Sequence, residues 1–534
     1  MTYRELDLES QDIVPWGLQQ AKIRLEACQD RPARGQLVLV SAMSPCPSGE
    51  GKTTVAIGLV DALRRQKHRA VVALRQPSMG PVFGMKGGGT GGGLARLIPD
   101  HSINLHFTGD LHAITSAHNL LSAVLDNHLQ RGSLKLDPRR LSWPRVLDMN
   151  DRALRHCVVG LGGPSHGMPR EERFDITAAS EIMAILALSK NWEDLRQRLT
   201  QIVVGTTRDG EAVQAHQLGA VGAMAALLRD ALLPNLVQTL EGSPALVHCG
   251  PFANIAHGTS SLLATRVGLS GSDFVVQEAG FGADLGGEKF LNIFCRELGQ
   301  TPSLAVVVVT LRGIKYHGGV AAAQLHLPDM AALQAGLANP LNQIRRLQRF
   351  GIPTVVALNT RAGELPEEHQ KVMDFLAQEK CPAYAVDVYQ HGGAGALALA
   401  DYVAQFRQPA PLEVTYSLAD SIDDKIRQIA TRVYGAQQVE FSALASQQIE
   451  SIRKMGMDHA YVCIAKTQYS ISDDPLRVGV PENFPIRINQ VKLAAGAGMV
   501  VAIAGDIQTM PGLPAHPNCQ HIDLTSEGKI IGLT

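Results

Sequence analysis

Residues Ser44–Thr54 read SPCPSGEGKTT and bring together the side chains that handle a phosphate chain. Pro47, Ser48, Gly49, Glu50 and Gly51 make a small-residue loop whose successive backbone N–H groups can wrap an anion. Lys52 can then reach the outer phosphates, and the hydroxyl of Thr53, with Thr54 beside it, can meet Mg²⁺. Cys46 stands where the full pattern opens with glycine, so the match is partial. An ordinary strand–turn–helix corner would also be rich in small residues. Context favours the phosphate loop: the apolar run Gln36–Val40, closed by Ser41 and Ala42, precedes it, and the amphipathic stretch Val55–Leu63 follows.

Further chemistry-bearing residues sit where predicted strands end. Arg69–Leu74 is expected as a second buried strand, which leaves Arg75 at the position where a parallel sheet presents side chains to ligand. Gln76–Gly84 follows, then Lys86 and the run Gly87–Gly93, GGGTGGG, which includes Gly88. So many glycines cannot hold a helix or strand without cost, and they let backbone amides come close to an anion. Glu278 and then Asp284 follow a predicted strand at Asp273–Val276. In a phosphate-loop protein an acid just past a buried strand is where Mg²⁺ or its water is held, so Glu278 is the first metal-side candidate, with Asp284 either second or a helix cap. His106, His112 and His118 recur every six residues, a spacing that does not put imidazoles on one helical face, and buried or capping roles suit them better than a metal.

These residues must be positioned by alternating strands and helices. Leu304–Thr310 (LAVVVVT) is a continuous apolar run of the kind found in strands covered on both faces, Thr354–Leu358 is another buried strand, and Ala383–Val386 completes the alternating series. Helices are expected near Trp16–Ala27, Phe174–Leu188 (capped by Asp175 or Thr177), Asn191–Thr200, Gly222–Leu232, Pro340–Phe350, Gly395–Phe406, Ile422–Val433 and Ala443–Lys454, with a last strand across Ala494–Gly505. The fold class is therefore α/β, a phosphate-loop-type, mainly parallel sheet with large helical insertions and a smaller C-terminal domain. Three parts are expected: 1–335 around the nucleotide loop, 336–411 continuing the sheet, and 412–534 as a C-terminal α/β unit. A net charge of −1 leaves no basic footprint for nucleic acid. The eight cysteines include no CxxC pair, which suits a reducing compartment. With an acidic N-terminus that is no signal peptide, and no apolar stretch of the roughly 18–20 residues a bilayer requires, the expectation is a cytoplasmic chain with no membrane partner. ATP-dependent phosphoryl transfer leads, a class that covers kinases, motor ATPases and ligases alike.

The chain closely resembles the formate–tetrahydrofolate ligase family, essentially end to end. The strings that carry this are PSGEGKTT, ALRQPSMGPVFGMKGG, INLHFTGDLHAITSAHNLLSA, DMNDRALR, FDITAASEIMAI, PNLVQTLEG, CGPFANIAHG, EAGFGADLGGEKF, YHGGV, AKTQYSISDDP and MPGLP. The resemblance implies that MgATP phosphorylates formate to formyl phosphate and that N10 of tetrahydrofolate then attacks the formyl carbon. It implies roles for Lys52 on the transferring phosphate, Thr53 on Mg²⁺, and Arg75 on formate and then formyl phosphate, with Gln76, Lys86, Gly87 and Gly88 in the formyl phosphate loop. It also implies a homotetramer and activation by K⁺ or NH₄⁺. Departures are visible. Gln76 replaces the family's usual Glu, and the Phe and Trp that stack the pterin become Arg361 and Tyr389. Both replacements can still stack on a heterocycle. Two alternatives are a divergent member that acylates a different amine and a non-catalytic nucleotide- or folate-binding paralogue.

Overall fold

The computed structural model describes residues 3–28, 31–85 and 88–533. Seven strands run parallel: β1 (Gln36–Ala42), β2 (Ala70–Leu74), β3 (Pro244–Val247), β4 (Phe274–Glu278), β5 (Leu304–Val309), β6 (Thr354–Asn359) and β7 (Ala383–Val386). Their order across the sheet is β3-β2-β4-β1-β5-β6-β7, with β1 central. Beyond β3 the sheet turns antiparallel through Asn235–Thr239, Ala21–Ile23 and Ile13–Pro15. Alternation along β1 explains the burial of every inner residue: Leu37 and Leu39 enter one core, while Val38, Val40 and Ala42 enter the other. A strand covered on both faces reads as a continuous apolar run, which is what β1, β5 and β6 are.

Helix α1 (Lys52–Arg65) follows β1 and packs in the second of those cores with the helix Leu397–Val403. A separate four-stranded sheet lies near the C-terminus, in the order Gln438–Phe441, Pro485–Ala494, Met499–Ala504, Tyr461–Ala465. Among the described residues no helix is long and apolar enough to cross a membrane. The eight cysteines are free thiols.

Three local expectations are corrected. Trp16–Ala27 is not a helix: Ile13–Pro15 and Ala21–Ile23 form an antiparallel pair around Gly17, whose φ of +78° serves a tight turn, and they extend the sheet edge. Phe174–Ile176 is a strand pairing with Arg145–Leu147, and the helix begins only at Glu181, capped by Ser180, whose Oγ accepts from Met183 N–H at 3.2 Å. Asp175 instead accepts from Thr509 Oγ1 at 2.5 Å. Ala494–Gly505 is the turn and second arm of a hairpin, because Pro485–Ala494 pairs antiparallel with Met499–Ala504.

Candidate active site

Because the seven strands are parallel, their carboxyl ends share one edge of the sheet, and loops leaving that edge converge there. The loop after β1 is shaped by two glycines in the left-handed region, Gly49 (φ +71°) and Gly51 (φ +76°), with Glu50 between them. A Cβ on Gly51 would lie 2.6 Å from Asn359 Nδ2. That amide, from the last residue of β6, donates to the Glu50 carbonyl at 2.9 Å. The Glu50 side chain folds back so that Oε1 accepts from Cys46 N–H at 2.7 Å, while Oε2 lies 3.5 Å from Lys52 Nζ. Cys46 does not adopt positive φ, which is why a side chain is tolerated where the pattern has glycine. Burial, then Glu50, pushes its thiol pKa up.

Lys52 opens α1, so the loop runs directly into a helix N-terminus with its unsatisfied N–H groups. One residue on, Thr53 Oγ1 donates to Glu278 Oε2 at 2.7 Å, joining α1 to the end of β4, and Thr259 Oγ1 donates to the Glu278 carbonyl at 2.7 Å. A hydroxyl and a carboxylate oxygen that converge beside this loop are hard donors of the kind Mg²⁺ takes alongside phosphate oxygens and water. Asp284 serves elsewhere. It is buried, paired with Lys466 Nζ at 2.8 Å, and accepts from Gln343 Nε2 at 2.9 Å. Burial alone would raise its carboxyl pKa, but Lys466 and Arg346 hold it below the usual range.

A buried polar network that sequence reasoning missed fixes the start of the loop. Ser44 Oγ accepts from Asn339 Nδ2 (3.0 Å) and Gln343 Nε2 (2.8 Å), and Ser44 N–H donates to Asn339 Oδ1 (3.1 Å). His317 Nδ1 accepts from Gly479 N–H at 3.0 Å, which leaves Nε2 to carry the proton toward the Ser44 carbonyl at 2.9 Å. Burial keeps this imidazole pKa below its ordinary value. Through Lys466 and Gly479 the AKTQYSISDDP segment and the loop after it are tied to the loop that follows β1. The only sequence signals were polar residues following the strands β5 and Tyr461–Ala465.

Arg75, one residue past β2, donates from Nη1 to the Pro251 carbonyl at 3.3 Å, and Gly280 faces its guanidinium so closely that a Cβ there would come within 2.9 Å. Burial, opposed by the hydrogen bond to the Ser260 carbonyl and aided by the nearby Arg75 charge, lowers the His257 pKa to about 4. Gln76 is buried and its backbone N–H donates to the Cys249 carbonyl at 2.7 Å. Lys86 and Gly87 lie outside the described residues. Gly88 lies against the Asn104 side chain, and Gly89 N–H donates to Asn104 Oδ1 at 2.9 Å. The glycine run continues into a contact with the other end of the site: a Cβ on Gly93 would sit 2.1 Å from the Tyr389 carbonyl, and Leu94 N–H donates to that same carbonyl at 2.9 Å. The Tyr389 ring lies along Gly92 and remains 53% exposed. Arg361 follows β6, its N–H donating to Glu364 Oε2 at 2.9 Å, and among the described residues its guanidinium makes no ion pair. His118 is structural, buried and stacked on Trp143 at 4.0 Å.

The sequence profile of a family described as formate–tetrahydrofolate ligase matches residues 2–534. Relatives carrying that same name include proteins from a Nocardioides species (51% identical, 99% of this chain and 96% of the relative), Paracoccus denitrificans (52%, 99% and 96%) and Myxococcus xanthus (49%, 99% and 97%).

Proposed function

Since this chain belongs to the formate–tetrahydrofolate ligase family and is a ligase, we propose that it phosphorylates formate with ATP and passes the formyl group to N10 of tetrahydrofolate. The observation that carries this is the gathering, at one edge of the parallel sheet, of Lys52, the Thr53–Glu278 pair and Arg75. In the first step a formate oxygen attacks the γ-phosphorus of ATP, the bond to the bridging oxygen breaks, and ADP leaves with that electron pair. Lys52 and the loop N–H groups bind the oxygens over which charge spreads, and Arg75 aligns the planar carboxylate through its two-pronged guanidinium. Thr53 and Glu278 would hold Mg²⁺, which supplies charge neutralisation on the phosphates when bound.

In the second step N10 attacks the formyl carbon of formyl phosphate, phosphate leaves and the amine loses its proton. Arg75 remains beside the phosphoryl group through both steps. Tyr389, held by the glycine run, and Arg361, which makes no ion pair among the described residues, are the surfaces proposed to stack the pterin. The phosphate-loop type of the sheet, the three-part division at 335 and 411, and assembly into a homotetramer belong to the same proposal.

The test is product formation. Purified protein with MgATP, formate and tetrahydrofolate is quenched in acid, and the 5,10-methenyl derivative is read by absorbance. Product that requires all three substrates is the expected result. ADP release that depends on formate without any folate product would reject the acceptor. No ATP turnover at all would reject the proposal entirely.

A further inference from the structure

We propose that Glu50 is a positioning residue that sets where the Lys52 ammonium stands when phosphate is transferred; this rests on Ser44–Thr54 being the nucleotide loop. A carboxylate inside a loop built to bind polyphosphate is unfavourable unless it has a task, because like charges repel at short range. Glu50 is nevertheless almost completely buried, at 4% exposure, while Lys52 keeps part of its surface open. The flanking left-handed glycines, Gly49 and Gly51, turn the backbone so that this side chain points back across the loop instead of outward.

Its two oxygens have separate partners. Oε1 accepts from Cys46 N–H at 2.7 Å, closing the loop on itself, and Oε2 lies 3.5 Å from Lys52 Nζ. The main chain of Glu50 is held as well, since its carbonyl accepts from Asn359 Nδ2 at 2.9 Å. With the backbone pinned by β6 and one oxygen pinned by Cys46, the second oxygen has a fixed location. A lysine side chain has four rotatable bonds and a compact charge with no geometric preference of its own. The carboxylate narrows that freedom to conformers in which the ammonium lies above the loop, and it does so before any nucleotide arrives. Orientation established in advance lowers the barrier of the chemical step more than it strengthens ground-state binding.

The consequence is a separation of effects between two variants. Glu50→Gln keeps an oxygen for the Cys46 N–H and replaces the charge facing Lys52 by an amide. It is expected to retain the thermal stability of the parent and to bind a fluorescent ATP analogue within about threefold, while kcat falls by about tenfold or more. Glu50→Ala also removes the Cys46 acceptor, and nucleotide affinity is expected to fall along with kcat. Wild-type kcat in Glu50→Gln would overturn the proposal, and so would equal losses of kcat and nucleotide affinity in both variants accompanied by a lowered Tm, which is the signature of a merely structural brace. Lys52→Ala is the control that separates the two levels. If it binds the analogue and turns over like the parent, the nucleotide-loop assignment fails; if it is impaired while Glu50→Gln is unaffected, only the role of Glu50 fails.

Discussion

At the scale of the residue, the surroundings of Arg75 and Tyr389 make kinetic predictions for the proposed formate and pterin sites. Arg75 approaches Gly280 closely and donates to the Pro251 carbonyl, so its guanidinium plane is fixed by its surroundings. Lysine would keep the charge but lose the paired, coplanar donors that match a carboxylate. Arg75→Lys is therefore expected to lower kcat for formyl transfer by on the order of a hundredfold with little change in ATP binding, measured by steady-state kinetics beside nucleotide titration. Unchanged turnover would remove Arg75 from the formate site. Tyr389 is anchored through its carbonyl to Leu94 N–H and leaves its ring half exposed. A larger indole at that position offers more stacking area. Tyr389→Trp is expected to lower KM for tetrahydrofolate several-fold while leaving KM for ATP alone; an unaltered folate KM would place the pterin elsewhere.

At the scale of the element, α1 joins the two ends of the site. Its first residues are Lys52 and Thr53, and its flank lies against the segment that carries Tyr389. A Cβ on Gly58 would stand 2.4 Å from Val388 Cγ1, and one on Gly393 would stand 2.7 Å from the Asp61 main chain. Arg65 near its last turn pairs with Glu241 at 2.8 Å, and Glu241 also accepts from Gly393 N–H at 2.8 Å. Gly58→Val is expected to push α1 from that segment, costing about 2 kcal/mol by overpacking and raising KM for both ATP and tetrahydrofolate. Gly222→Ala, where a Cβ meets nothing within 4 Å, is the matched control. Denaturant titration and kinetics on both variants test this, and a Gly58→Val protein with parental KM values would show that the contact does not position the site.

At the scale of the whole molecule, buried titratable groups set the dependence of stability on pH. Burial raises Glu181 from an ordinary value of 4.5 to about 8, Glu288 from 4.5 to about 7, and Asp61 from 3.8 to about 6. Each binds a proton more tightly when folded, so each loses stability as pH rises through its own window. Burial lowers His118, His248 and His257 from 6.5 to about 4, which has the opposite sign, stability rising with pH toward 6.5 and no further change above it. The two sets oppose each other in mildly acidic solution, and from 6.5 up to about 8, where burial has brought Lys425 and Lys492 down to titrate, the carboxyls dominate. Tm is therefore expected to decline between about pH 6.5 and 8, and Glu181→Gln to flatten most of that decline because Glu181 has the highest pKa of the three carboxyls. A Glu181→Gln profile parallel to the parent would assign the slope to other groups. Glu181 also shows what the burial does structurally: its Oε1 accepts from Gly496 N–H at 2.7 Å, tying the helix Glu181–Leu188 to the hairpin turn of the C-terminal sheet.

The local elements around the chemistry were legible in the sequence wherever burial alone decides them. The runs at β1, β5 and β6 are covered on both faces, so their apolar character is continuous, and the polar or glycine residues that follow must lie at the strand ends. Lys52, Arg75 and Glu278 could be named on that basis. Edge elements were not legible in the same way. Ile13–Pro15 and Ala21–Ile23 become strands because Asn235–Thr239 offers them an unpaired edge, and nothing within Trp16–Ala27 encodes that neighbour. The pairings across the site also needed the folded chain. Asn359 meets Glu50, Lys466 meets Asp284 and His317 meets Ser44 across separations of 309, 182 and 273 residues. Sequence alone thus determined which polar and charged residues stand just past the buried strands and on which kind of element they sit, because those properties depend on side-chain chemistry and local periodicity. Only the tertiary structure decided that Asp284 is spent on an ion pair, that Glu50 turns inward toward Lys52, and that the C-terminal segment holds the loop, because each depends on which distant polar group burial leaves within reach.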